Sequence, residues 1–191
     1  MDAHAEICRA IDQYKEKAVS LSHQIHEKPE PKFQEHFAAG LLSSAARELG
    51  LPVETGVGGL ATAFRAEFGN GGGPTVAILA EYDALPNGHS CGHNLIACAA
   101  LSAVVGLHHG AKNLPGKIVF LGTPAEEGGG GKIILLDKGV MKGVDVAMMA
   151  HPFDAEACTM PALATRHLHL TFHGKASHAA AAPWDGASAL S

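Results

Sequence analysis

The sequence predicts an α/β fold: a mostly parallel sheet flanked by helices, followed by the start of a smaller α+β unit. Three observations carry this expectation. Thr75-Val76-Ala77-Ile78-Leu79-Ala80, Lys117-Ile118-Val119-Phe120-Leu121-Gly122 and Val144–Ala150 are short and largely apolar, as strands covered on both faces are. Helical segments over 94–108 and 131–138 separate them, and such alternation is the signature of parallel pairing through crossovers. Polar residues follow each strand in turn, as Glu81-Tyr82-Asp83, Glu126-Glu127 and His151. Open α/β sheets collect their sites at that edge.

The remaining elements follow in chain order. Ile7, Ile11, Tyr14, Ala18, Leu21 and Ile25 recur at steps of three and four, which predicts an amphipathic helix over 3–27. Pro29 and Pro31 end it, since the residue before a proline is driven away from helical geometry. A second helix spans 34–49, with Gly50 as its C-terminal cap. Residues 56–65 read as a loop and short strand, and Asn70–Pro74 as a turn or hairpin connection. Beyond His151, residues 167–173 alternate as His-Leu-His-Leu-Thr-Phe-His, a period-two pattern suited to a strand with one exposed face. Pro183-Trp184-Asp185-Gly186 then opens a helix. Residues 1–161 are assigned to the main domain and 162–191 to the second.

Composition narrows the function classes. The 191 residues are 47% hydrophobic, enough for a buried core. The formal charge of −5 is spread without a basic block, so nucleic acid is not the expected partner. No apolar run reaches membrane length, and Met1-Asp2-Ala3-His4-Ala5-Glu6 does not open a secretory signal. Cys8, Cys91, Cys98 and Cys158 lack the spacing of a disulfide framework, which suits a reducing, cytoplasmic setting.

Cys91 and His93, one residue apart, can direct a thiolate and an imidazole at one metal. Glu126 and Glu127 are adjacent on extended backbone, where neighbouring side chains diverge. One carboxylate can therefore bind a metal while the other acts as a general base, the pairing that metal-assisted hydrolysis needs. Gly128–Gly131 behind them lets backbone and substrate approach closely. His151, fixed in extended geometry by Pro152, adds a second imidazole. Asp83 reads equally as a partner that orients an imidazole, as a bridge between metals, or as a turn-capping residue ahead of Pro86. Cys8 and Cys98 sit among apolar helical neighbours and read as core residues.

In this order, Glu81–Pro86, Gly88–Ile96, Gly122–Gly131, Ala150-His151-Pro152 and Gly174–Gly186 resemble the M20 metallopeptidase and amidohydrolase family. The likeness extends to Ile25–Glu30 and Thr62–Glu67 and so covers essentially the whole chain. The most similar branches are dipeptidases for substrates with a basic C-terminal residue and amidohydrolases of the aminobenzoyl-glutamate type. The resemblance implies a zinc-peptidase-like catalytic domain carrying an inserted dimerisation, or lid, domain. It implies two divalent metal ions, usually zinc, with manganese or cobalt as alternatives. Cys91, His93, Glu127 and His151 are the implied ligands, and Glu126 the implied general base. Asp83 matches the family's aspartate just after the strand. His178 matches a histidine that reaches the partner subunit's active site and polarises the scissile carbonyl, so a homodimer is expected. The implied substrate is a small dipeptide or N-acyl amino acid. Glu81 stands where other branches have a ligating histidine, which moves that role to Cys91. Leu85–His89 is one residue shorter than the branch pattern. The family's inserted domain and a further ligating histidine are expected beyond Ser191, so an N-terminal fragment is implied, with a catalytically defective metal-binding fragment as the alternative.

Overall fold

The computed structural model describes residues 2–110, 115–159, 163–166 and 168–190. Two compact units are present, 1–156 and 157–191. The domain boundary expected after residue 161 lies outside the described residues.

In the first unit, helices α1 (Ala3–Glu27), α2 (His36–Glu48) and α3 (His93–Gly110) accompany a five-stranded sheet. Its strands are β1 (Val53–Thr55), β2 (Phe64–Gly71), β3 (Thr75–Ala80), β4 (Gly116–Gly122) and β5 (Val146–Met148), in the order β1-β2-β4-β3-β5. Two short helical segments, α4 (Glu126–Gly129) and α5 (Gly131–Asp137), follow β4. The Asp2 carboxylate accepts the His4 N–H and caps α1.

The three strands read from the sequence pair in parallel: β3 with β4 from Thr75↔Lys117 to Ala80↔Gly122, and β3 with β5 from Val76↔Val146 to Ile78↔Met148. Alternate residues feed opposite cores, as strands covered on both faces must. Ile78, Ala80 and Phe120 join Phe64, Tyr82, Leu42 and Leu101 in one cluster. Ala77, Leu79, Val119 and Leu121 join Val57 and Leu135 in the other.

The sheet as a whole is mixed, because β1 and β2 add to it antiparallel. Two expectations change here. β2 runs through Gly71, longer than a short strand ending near residue 65. The Asn70–Pro74 connection is not a hairpin turn, since β4 lies between β2 and β3. The connection crosses the start of β4 instead, where the Lys117 N–H donates to the Pro74 carbonyl at 3.0 Å.

The second unit departs further. Described residues 168–173 form no strand, and Leu168, Leu170 and Phe172 are exposed. After Pro183 there is one 3-10 turn, Pro183–Asp185, in place of the expected helix. A period-two pattern becomes a strand only where a neighbour accepts its ladder bonds. Among the described residues of this unit, the one such bridge joins Lys175 and Ala187.

Candidate metal centre

The parallel ends of β3, β4 and β5 deliver Glu81 and Asp83, Glu126 and Glu127, and His151 to one edge, while His93 opens α3 beside them. His93 is buried at 1% exposure. Its Nδ1 lies 2.8 Å from the Asp83 carbonyl oxygen and 3.2 Å from Asp83 Oδ1. A carbonyl can only accept, so Nδ1 carries a proton, and in the neutral imidazole Nε2 presents a lone pair. That Nε2 lies 3.6 Å from Glu81 Oε2, 3.9 Å from Glu126 Oε2 and 3.9 Å from Glu127 Oε1. His151 is arranged alike: its Nδ1 donates to the Pro152 carbonyl at 2.8 Å, and its ring stands 5.9 Å from that of His93, edge to face.

In each of two groups among the described residues, Glu81–His93–His151 and His93–Glu126–Glu127, the donor atoms lie within 4.8 Å of one another. The two groups share His93. Glu81 Oε2 and His93 Nε2 are both buried without a hydrogen-bond partner, an arrangement that costs on the order of 1–3 kcal/mol per group unless something satisfies it. A divalent cation would satisfy both. Imidazole nitrogen and carboxylate oxygen are the donors that zinc and manganese accept, so the residues present fit a metal.

Asp83 ties the two groups together. Besides holding His93, its Oδ2 accepts the Glu127 N–H at 2.8 Å. Burial pushes its carboxyl up, but the hydrogen bonds from His93 and from the Glu127 and Glu126 N–H groups outweigh it and hold Asp83 below the usual carboxylate range. Burial pulls His93 down, yet the Asp83 hydrogen bond and the charges of Glu81 and Asp83 win and raise it. Glu126 is raised by burial, then by the charges of Glu81 and Glu127, with Lys132 and His93 opposing.

Cys91 stands at the rim. Its thiol is pushed up to about 11, first by a hydrogen bond with Glu127, then by burial and by the charges of Glu127, Glu126 and Asp83. It therefore reaches Glu127 but belongs to neither three-residue group. With His151, Ser22, His26, His89 and Asn94 it lines a cleft of about 1160 Å³. His178, in the second unit, is exposed, and its Nδ1 accepts the Ala180 and Ala181 N–H groups at 3.3 and 3.1 Å.

Three residues at the site stand outside the set read from the sequence. Glu81 was visible in the strand-end cluster but gave its ligand role to Cys91, because a histidine is the resemblance's residue there. Lys132 pairs with Glu81 Oε1, and as the first cation after an acidic pair it left a faint signal. Glu35 hydrogen-bonds to Thr62 and Ala125, 27 and 90 residues away, and no local pattern marks it. Close packing fixes the segment that bears the carboxylates. A Cβ on Gly131 would lie 1.8 Å from the Pro124 carbonyl oxygen.

Residues 77–167 match the family described as peptidase family M20/M25/M40. The chain is 43% identical to the Xaa-Arg dipeptidase of Mus musculus over 94% of its own length and 45% of that protein. It is 36% identical to a p-aminobenzoyl-glutamate hydrolase component of Escherichia coli, over 95% of this chain and 42% of that one. The chain thus spans less than half the length of these two relatives. Among solved structures, the Bacillus subtilis YXEP protein, a dinuclear metal-binding peptidase, superposes with a TM-score of 0.66 at 26% identity, over 71% of this chain and 42% of that one. The match begins within β3 and contains the whole strand-end cluster, from Glu81 to His151, so the candidate site lies in the part of the chain that is similar to the M20 peptidase family.

Proposed function

We propose that this chain carries the metal-binding and general-base residues of a hydrolase that cleaves the amide bond of dipeptides or N-acyl amino acids. Dipeptides with a basic C-terminal residue are the first substrate class to consider, following the Xaa-Arg dipeptidase likeness. One observation carries the reading: the buried His93 Nε2, without a hydrogen-bond partner, faces three carboxylates at the ends of parallel strands.

His93, Glu127 and His151 would hold the metal, with Cys91 and Glu81 completing the set. Two ions are proposed, zinc in the first instance and manganese or cobalt as alternatives. When bound, the metal supplies Lewis-acid polarisation of the scissile carbonyl. Asp83 keeps the His93 proton on Nδ1, so that Nε2 remains a donor of electrons. Glu126, half-exposed, with its proton affinity raised by burial and neighbouring charge, takes a proton from the attacking water and passes it to the leaving amine. His178 acts on the carbonyl from a partner subunit, which requires a homodimer. The four free cysteines fit a reducing compartment such as the cytoplasm. No helix among the described residues is long and apolar enough to cross a membrane.

A second reading, hydrolysis of aminobenzoyl-glutamate, is favoured by the 36% identity to the Escherichia coli protein. The test pairs Glu126→Gln with Glu127→Gln. Zinc titration by calorimetry should show binding retained in the first and lost in the second. Turnover, assayed on dipeptides ending in Arg, Lys or ornithine and on aminobenzoyl-glutamate, should vanish in both. Full zinc affinity in Glu127→Gln refutes the ligand assignment, and unchanged turnover in Glu126→Gln refutes the base. Zinc binding without turnover on any of these substrates in the wild-type chain would favour a metal-binding role instead.

A further inference from the structure

We infer that Glu35 is a positioning residue for the Glu126–Glu127 pair, clamping the backbone from which both carboxylates project. The inference rests on the proposed metal-ligand role of Glu127. Glu35 is fully buried, far in sequence from the strand-end cluster. Its Oε1 accepts two backbone N–H groups, from Phe33 at 2.9 Å and from Ala125 at 2.8 Å, and its Oε2 accepts the Thr62 hydroxyl at 2.8 Å.

The two residues that share Oε1 are unusual in the same way. Phe33 has φ 64° and Ala125 φ 60°, the two non-glycine residues with positive φ among those described. Left-handed geometry is unfavourable for residues with a Cβ and persists where surroundings over-determine it. Here one carboxylate oxygen holds both. The two residues also crowd a common spot, since a Cβ on Gly129 would lie 2.6 Å from Ala125 Cβ and 3.0 Å from Phe33 Cε2. Glu35 is anchored in turn through Thr62, whose carbonyl accepts the buried Tyr82 hydroxyl at 2.6 Å.

The placement gives the clamp its functional sense. Ala125 immediately precedes Glu126, and its N–H is held by Glu35. The Glu127 N–H, two residues on, is held by Asp83. Two buried carboxylates therefore fix the backbone on either side of Glu126 and leave its side chain free. Release of the Glu35 clamp lets Ala125 relax toward negative φ, which swings Glu127 away from His93.

The experiment is zinc titration of the full chain by calorimetry, with circular dichroism to establish that each variant is folded. Glu35→Gln keeps the length, and its amide oxygen can accept both N–H groups, so its affinity should stay near wild type. Glu35→Asp keeps the charge but is one methylene too short to reach Ala125. It should bind zinc about tenfold or more weakly, the scale on which groups that orient ligands act. Leu101→Ala, in the core away from the turn, controls for lost stability and should not weaken zinc. Equal weakening in Glu35→Gln and Glu35→Asp, or in Leu101→Ala, overturns the positioning role, as does full affinity in Glu35→Asp. If Glu35→Asp fails to fold, Glu35→Gln still decides, since weakened zinc binding by that folded variant overturns the inference and near-wild-type binding upholds it. Glu127→Gln is run alongside: unchanged affinity there sinks the ligand assignment, whereas its loss together with intact Glu35→Asp sinks only the clamp.

Discussion

The same substitution, glycine to alanine, should have opposite effects at two positions of this chain. At Gly131 a Cβ would sit 1.8 Å from the Pro124 carbonyl oxygen and 2.9 Å from its carbon. A comfortable carbon–oxygen contact is about 3.3 Å or more, so the two encroach by roughly 1.5 Å. The obstacle is backbone and cannot rotate away. Overpacking of this kind costs about 1–3 kcal/mol, and the upper half of that range is expected here. At Gly40, inside α2 and exposed, a Cβ would meet nothing within 4 Å. Alanine there should stabilise the chain by about 0.5–1 kcal/mol, the usual helix-interior difference. The gap between the variants is then about 2.5–4 kcal/mol, or roughly 1.2–2 M in urea midpoint for a slope near 2 kcal/mol per molar. Urea unfolding followed by circular dichroism reads it directly. Gly131→Ala should also weaken zinc, because relief of the clash displaces the turn carrying Glu126 and Glu127. A Gly131→Ala midpoint equal to wild type would refute the close approach, and a destabilised Gly40→Ala would refute the open space.

Three further outcomes are expected. Lys132→Met removes the cation paired with buried Glu81; urea unfolding in chelator should show a loss of about 2 kcal/mol, while zinc, no longer competing with the ammonium, should bind several-fold more tightly. Weaker zinc binding would show that Lys132 supports the metal site. Without metal, the Asp83–His93 pair should stabilise the chain most between about pH 4 and pH 6.5. Asp83, lowered from 3.8, loses its contribution as pH falls through its folded value, and His93, raised from 6.5, loses its own as pH rises through its folded value. Urea midpoints across pH in chelator check this, and a His93→Asn variant that kept the decline above pH 6.5 would contradict it. Tyr82→Phe leaves the buried Thr62 carbonyl without the hydroxyl that donates to it at 2.6 Å and should cost about 1–2 kcal/mol of unfolding free energy; a cost near zero would mean that water replaces the hydroxyl.

Much of this protein is written in local pattern. Steps of three and four gave the span of α1, and apolar runs gave β3, β4 and β5 with their parallel direction, because burial on one or both faces leaves a period in the chain. The same logic placed Asp83, Glu126, Glu127 and His151 at one edge, since residues just past parallel strands must converge there. Partnership across the chain left no such trace. β4 inserts between β2 and β3, and nothing in Asn70–Pro74 distinguishes that crossing from a hairpin. The alternation of 167–173 promised a strand, yet a strand exists only in its hydrogen bonds to a neighbour, and among the described residues, 168–173 join no ladder. Local pattern marked Glu35 only as an acid, and Glu81 as a strand-end acid without its partners. Tertiary structure decided that one accepts the Ala125 N–H and the other lies buried between His93 and Lys132, because those partners come from other elements of the chain.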